Sequence, residues 1–263
     1  MIFHSAIEPI YFLLPVIGLV VGLFATVLGG GGGFFFLPVL TLVLDVPAQT
    51  AVITSLVATL PIGFVGVLGH HKKGNVDFRM GAVFSIFGVV GAFAGAYYTS
   101  KIDTELLQHC FGIYTWFLAI NIIYGSLKKV KNNDVGVMNR NDYTRNIKSA
   151  LFGFFGGTIS GSFGTSGTGP VLAGLLSMRI PLKMVIGTSL FIVTINALSA
   201  ITAHVLVGYI DLTLIVFLTV GSLIGSLMGP RLISQAHTDN KEGIARYIYA
   251  LVLVVIGLLM VIK

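Results

Sequence analysis

Charge is what this sequence has least of. Only 10% of its 263 residues are Asp, Glu, Lys or Arg, against about 25% in a soluble domain. That is too little polar surface to wrap a water-soluble globule of this length. Cysteine is nearly absent too. Cys110 is the one thiol, which excludes an intrachain disulfide and a Cys-rich metal site. No Asp, Glu, Lys or Arg falls securely in the middle of a hydrophobic run; Asp45, Arg79, Arg179 and Arg231 lie near predicted ends. Proton and sodium pumps usually carry such groups at depth. No metal cluster and no nucleophile with a base in register stands out, so neither an enzyme nor a cofactor is expected. The start, Met1-Ile2-Phe3-His4, lacks a basic region ahead of the apolar run. No cleaved signal peptide is expected, and the first helix should be retained.

Apolar residues fill the place of the missing charge. They make up 55% of the chain, and the mean hydropathy is +0.94. They form solid blocks, such as 83–98, 212–228 and 248–262. A β-barrel would alternate apolar and polar residues in segments of about ten. The pattern predicts an all-α, polytopic helical membrane protein. The net charge of +6 sits in loops, where retention of Lys and Arg on the cytoplasmic side explains it. No nucleic-acid partner is expected. The expected partners are the lipid bilayer and a small anion, and a homo-oligomer is compatible with the sequence.

The predicted segments are 9–28, a short 34–44, 48–69, 80–98 and 106–127. A polar linker, 128–146, follows. The second series is 147–163, a short 171–178, 182–207, 212–233 and 246–262. This divides the chain into a first membrane repeat (1–127), the linker (128–146) and a second membrane repeat (147–263). The halves repeat in sequence. Pro38-Val39-Leu40 matches Pro170-Val171-Leu172 at an offset of 132. At an offset of 134, Pro47 matches Pro181, Thr54-Ser55-Leu56 matches Thr188-Ser189-Leu190, and His70, Gly74 and Asp77 match His204, Gly208 and Asp211. Gly91 and Gly95 match Gly225 and Gly229.

Five segments per half is an odd number, so the repeats are predicted to be inverted in the membrane. The charges agree. With the linker cytoplasmic, fourteen of the sixteen Lys and Arg fall inside, and only Lys101 and Lys263 outside. Both termini are then expected outside a cytoplasmic (inner) membrane. The short segments cannot cross a core that needs about twenty residues. Each is a broken or re-entrant element, and eight or ten spans result.

Between segments one and two lie five consecutive glycines, Gly29, Gly30, Gly31, Gly32 and Gly33, then Phe34. Glycine costs a helix roughly 1 kcal/mol per residue, so the run breaks the helix at membrane depth. Such breaks are tolerated only where protein buries them or they line a cavity. The second half has its counterpart in Gly161-Ser162-Phe163-Gly164-Thr165-Ser166-Gly167-Thr168-Gly169-Pro170. A short helix is expected to follow each break, beginning at or near proline. Free N–H groups and the positive dipole end at a helix N-terminus suit an anion. In an inverted repeat the two breaks would face each other near the midplane. Close helix packing through small residues is the plainer reading, but packing needs spaced small residues, not five adjacent ones. No Gly-Lys-Ser/Thr follows, so a P-loop is rejected.

Hydroxyls complete the candidate binding set. Thr165, Ser166 and Thr168 lie in the second break, beside the backbone of Gly164 and Gly167. Thr54, Ser55, Thr188 and Ser189 lie early in the third helix of each half. Such hydroxyls also bond back to their own helix. Asn196 lies eight and seven residues beyond Thr188 and Ser189. His70 and His204 are candidates for gating, since His titrates near neutral pH. In the plainer reading, Gly74 and Gly208 end helices, Asp77 and Asp211 start them, and the histidines meet the negative dipole end.

The duplicated break followed by Pro-x-Leu, the Pro…Thr-Ser-Leu helices and the two-repeat architecture resemble the sulfite exporter TauE/SafE family of membrane permeases, over about residues 12–262. The resemblance implies transport of a small sulfur-containing anion, such as sulfite, sulfoacetate or another organosulfonate, usually outward across the cytoplasmic membrane. The first half offers Gly and Phe where the second offers Ser and Thr, so a shared site is asymmetric. Two rival readings stand beside an exporter working by alternating access: an anion channel with the same central site, and a non-transporting membrane scaffold docking through the linker.

Overall fold

The computed structural model describes residues 2–28, 32–127, 142–178, 180–207, 210–233 and 239–262. Side chains are described in these ranges except at 2, 27, 28, 125–127, 142, 143, 207, 229–233 and 239–249. The linker residues 128–141 therefore lie outside, as do Gly29, Gly30, Gly31 and Gly208.

The chain is a polytopic all-α membrane protein. Its helices are α1 (Leu14–Leu28, entered by a 3₁₀ turn at Pro9–Leu13), α2 (Gly33–Pro38), α3 (Ala48–His71), α4 (Phe78–Thr99) and α5 (Thr104–Leu127), then α6 (Asp142–Phe163), α7 (Thr168–Ser177), α8 (Leu182–Val207), α9 (Leu212–Ile233) and α10 (Asp239–Ile262). Five of these regions, Pro9–Thr26, Ala48–His71, Phe78–Thr99, Thr104–Tyr124 and Leu182–Leu206, are each long and apolar enough to cross a membrane. Helices α6 and α9 each have 22 residues, a length of about 33 Å at 1.5 Å per residue. A two-residue parallel bridge pairs Ile2 with Ile210 and Phe3 with Asp211. It ties the N-terminal segment to the start of α9.

Several boundaries differ from those expected. Helix α6 begins at Asp142, not 147, because its first turn is polar and carries no apolar period. Helix α10 begins at Asp239 rather than 246 for the same reason. The first short helix starts at Gly33, so Pro38 falls at its sixth residue and not in its first turn. A proline there removes a helical N–H, and the chain continues as a π-turn over Val39–Val43. In the second half Pro170 does sit in the first turn of α7.

Helices α3 and α8 are the most buried spans and pack on each other. They run antiparallel: Gly63 of α3 faces Thr194 of α8, and Gly66 faces Leu190. Helices α5 and α10 also run antiparallel, with Gly112 against Met260 and Val261, and with the Trp116 indole donating to the Val254 carbonyl at 3.1 Å. The two largest interfaces likewise join opposite halves. Helix α1 packs on α9, and α4 on α6. In the first, Gly18 lies on the backbone of Leu218 and Gly22 on that of Ser222. In the second, Gly153 lies on Phe84 and Gly157 on Gly88. The registers correspond: residues 18 and 22 become 153 and 157 at an offset of 135, and 218 and 222 become 84 and 88 at 134. Small residues at these positions let backbones touch, which is how helices associate where no hydrophobic force separates protein from lipid.

Candidate central site

Each break is built from a left-handed residue that ends one backbone direction and starts another. Gly32, with φ +77°, caps the start of α2, and Gly167, with φ +65°, caps the start of α7. Residues with side chains rarely hold such angles. Ser166 nonetheless does so, at φ +59°. Neither helix start receives a side-chain hydrogen bond at its cap. Their first-turn N–H groups keep the anion-favouring character expected of a helix N-terminus.

The two breaks meet. Gly33 sits against the Gly164 carbonyl and the Thr165 backbone, so close that a Cβ on Gly33 would stand 2.7 Å from Thr165 Cα. Ser55 of α3 donates its hydroxyl to the Gly164 carbonyl at 2.6 Å. An aromatic stack closes the other side. The Tyr114 ring of α5 lies between Phe34 of the first break and Phe163 of the second, with centroids 6.1 and 5.6 Å away and interplanar angles of 25° and 17°. The Tyr114 hydroxyl stands beside Gly169 in the first turn of α7.

Beyond the contact, Ser166 lines a small cavity between α3 and α8 with Thr59, Gly63, Leu190, Val193, Thr194 and Ala197, roomy enough for about one water. Gly156 of α6 lies between the Gly167 carbonyl and the side-chain amide of Asn196, whose oxygen also abuts Gly88. Thr165, Ser166 and Asn196 are all buried, with exposures of 0, 2 and 0%. Among the described residues their side-chain polar atoms have no hydrogen-bond partner, and neither do the buried hydroxyls of Thr54 and Ser189. Such groups usually find partners, since each costs about 1–3 kcal/mol when left unpaired.

The sequence-derived candidates thus divide. Gly33, Phe34, Ser55, Gly164 and Thr165 come together where the breaks meet. Ser166, Gly167 and Asn196 continue from there between α6 and α8. Thr168 is buried in the first turn of α7, and Gly32 packs against Val21, Ala25 and Ile62. Thr188 is turned elsewhere: its hydroxyl accepts the Asp77 N–H at 2.9 Å, fixing the loop before α4. No described contact joins Thr54 or Ser189 to the breaks. Gly30 and Gly31 lie outside the described residues. His204 is buried, and its Nε2 lies 2.7 Å from the Gly161 carbonyl in the last turn of α6. His70 is half-buried on the other face, packed by Gly187. Asp77 and Asp211 do cap helices: the first accepts from Met80 N at 2.9 Å, the second from Thr213 N at 3.0 Å. Tyr114 and Phe163 were not foreseen, because an aromatic in an apolar span carries no local mark of what it stacks on.

Two broken helices that meet in the interior, with buried hydroxyls around them, are set in an all-α, polytopic membrane protein. The chain belongs to the sulfite exporter TauE/SafE family, whose model matches residues 14–260. Curated relatives carry the name of probable membrane transporters. YdhB of Bacillus subtilis is 26% identical over 220 residues, which cover 83% of this chain and 89% of that protein. YunE of the same organism is 24% identical over 261 residues, covering 92% and 95%. A relative from Xylella fastidiosa strain Temecula1 is 28% identical over 232 residues, covering 85% and 87%. No solved structure matches the chain.

Proposed function

We propose that this protein is a secondary transporter that exports a small sulfur-containing oxyanion, such as sulfite or an organosulfonate, across the cytoplasmic membrane by alternating access. The observation that carries the reading is the set of buried, unpartnered groups on Thr165, Ser166 and Asn196 beside the uncapped start of α7. An oxyanion supplies acceptors for these hydroxyl and amide donors. It also meets the positive end of the helix dipole. Among the described residues, the one buried Asp, Glu, Lys or Arg is Asp211, at the start of α9. The anion is therefore held by neutral donors. Neutral donors compensate a delocalised monoanion better than a dianion, whose desolvation costs more.

Alternating access needs two related halves that move against each other. Inversion is supported by the antiparallel courses of the equivalent helices α3 and α8, and α5 and α10. It is supported again by the matched α1–α9 and α4–α6 registers. In this reading the two glycine-packed pairs move as rigid units about the breaks, the linker is cytoplasmic, and both termini are outside. Concentrative uptake of labelled sulfite into inside-out vesicles or proteoliposomes tests the proposal. Accumulation against a gradient that Thr165→Val reduces supports it. Flux that only dissipates gradients would point to a channel, and no specific flux to a scaffold.

A further inference from the structure

Two equivalent pairs of hydroxyls on the central helices are bonded in opposite ways. Ser55 of α3 and Ser189 of α8 match at the offset of 134, and both are fully buried. Ser55 donates to the Gly164 carbonyl at 2.6 Å, in the break of the opposite half. Ser189 has no hydrogen-bond partner among the described residues. The threonines beside them show the reverse. Thr188 accepts the Asp77 N–H at 2.9 Å, again from the opposite half, while the buried hydroxyl of Thr54 is the one without a partner. We propose that Ser189 and Thr54 are positioning residues of the transport cycle and not ligands of the anion. When the halves exchange conformations, Ser189 donates to the Gly32 carbonyl and Thr54 accepts the Asp211 N–H, as Ser55 and Thr188 let go. This assignment rests on the alternating-access reading above.

Residue type does not account for the difference. Each half offers Thr-Ser-Leu on its central helix and an aspartate that caps its next helix. Each break has a glycine of positive φ, Gly32 at +77° and Gly164 at +68°. Gly32 matches Gly164 at the offset of 132 that joins Pro38 to Pro170, and Asp77 matches Asp211 at 134. The same donors and acceptors are joined differently, so conformation sets which bonds are made. The Gly32 carbonyl accepts the Phe35 N–H at 3.1 Å and has a second lone pair to offer. Asp211 pairs with Phe3 of the N-terminal segment. That contact bears on Thr54 alone and accounts for nothing at Ser189.

The unpaired hydroxyls also decline the usual local alternative. Thr59 and Thr194, on the same two helices, each bond back to a carbonyl of their own helix at 2.7 Å, as helical hydroxyls commonly do. Thr54 and Ser189 do not. The arrangement has an energetic consequence. Each state pairs one hydroxyl on each central helix and leaves one unpaired, so neither state is favoured by these bonds. Two states of similar free energy are what a carrier must populate in turn.

The test reads conformation and flux separately. In the Cys110→Ser background, spin labels are placed at Val16→Cys of α1 and Tyr98→Cys of α4, exposed positions on different glycine-packed pairs. Pulsed electron spin resonance in nanodiscs, without substrate, gives the distribution of distances. Ser55→Ala should raise the share of a second distance about five-fold, the worth of one net hydrogen bond. Adding Ser189→Ala should reverse that gain. In proteoliposomes, Ser189→Ala and Thr54→Val should each lower maximal sulfite flux about five-fold or more with apparent affinity held. Ser189→Thr, which keeps the hydroxyl, should restore the flux. Thr202→Val should leave it unchanged, since that exposed hydroxyl bonds its own helix. Weakened affinity in Ser189→Ala would make Ser189 an anion ligand and overturn the assignment. So would unchanged flux, or distances that Ser55→Ala does not move. Unfolding temperature checks that each variant folds, and the Ser189→Ala flux does not depend on Ser55→Ala folding. If native protein moves no sulfite, the distances still decide the exchange of bonds, and the failure belongs to the export reading.

Discussion

The hydroxyl of Ser55 donates to the carbonyl of Gly164 at 2.6 Å, across 109 residues of sequence. It joins the central helix of the first half to the break of the second. A buried neutral hydrogen bond has a net worth of about 1 kcal/mol. The bond is strong enough to hold the breaks in register and weak enough to be exchanged if the halves move. It also orders the roles of the candidates. Ser55 donates its proton within the protein, while the hydroxyl of Thr165, next in the chain to Gly164, has no hydrogen-bond partner among the described residues.

Ser55→Ala should therefore act on stability first. It leaves the Gly164 carbonyl buried and without this donor, which costs about 1–3 kcal/mol. Thermal unfolding in detergent should show a lower midpoint, with transport reduced in the protein that remains folded. An unchanged midpoint would mean that the bond does not hold the break.

Thr165→Val and Ser166→Gly should act in the opposite way. Each removes a buried hydroxyl that has no partner among the described residues, so unfolding stability should hold or rise. Ser166→Gly also relaxes a positive φ, a gain of about 1 kcal/mol. Sulfite-induced stabilisation should weaken by about 5- to 30-fold in affinity, the equivalent of roughly 1–2 kcal/mol for a lost donor to an anion. Stable variants with native affinity would remove these residues from the site.

Much of this arrangement is written in one dimension. Solid apolar blocks set the spans, and the glycine runs set the breaks, because both are properties of contiguous residues. The matched Thr-Ser-Leu and Gly positions are what suggest a repeat in the sequence. What was not legible depends on partners distant in sequence. The Phe34–Tyr114–Phe163 stack joins three helices, and nothing local to Tyr114 announces it. Thr188 looked equivalent to Thr54, yet the Asp77 N–H in the preceding repeat occupies its hydroxyl. The early start of α6 was hidden because Asp142 to Asn146 extend a helix with residues that have no apolar period.

Glycine at the contact between breaks should tolerate nothing larger. A Cβ at position 33 would press on the Gly164 carbonyl and stand 2.7 Å from Thr165 Cα. These are backbone atoms that cannot rotate away. Gly33→Ala should cost about 1–3 kcal/mol as an overpacked position and abolish transport. Gly69→Ala is the matched control. A Cβ there meets nothing within 4 Å, and alanine in a helix is favoured by about 1 kcal/mol. The two variants should shift the unfolding midpoint in opposite directions.

The inverted arrangement has a direct test in one pair of positions. Lys72 and Leu206 are equivalent in the repeat at the offset of 134, and both are exposed, Leu206 by 74%. Inversion places them on opposite faces of the membrane, with Lys72 inside among the loop cations. The single cysteine makes the experiment clean, because Cys110→Ser removes the one native thiol, itself exposed. In that background, a membrane-impermeant maleimide added to intact cells should label Leu206→Cys and spare Lys72→Cys. Permeabilised cells should label both. Lys101→Cys, on the loop before α5, should label from outside and serves as the reference. Labelling of positions 72 and 206 from the same side would make the repeats parallel. The breaks would then not be related across the midplane, and transport by exchange of two inverted halves would lose its basis.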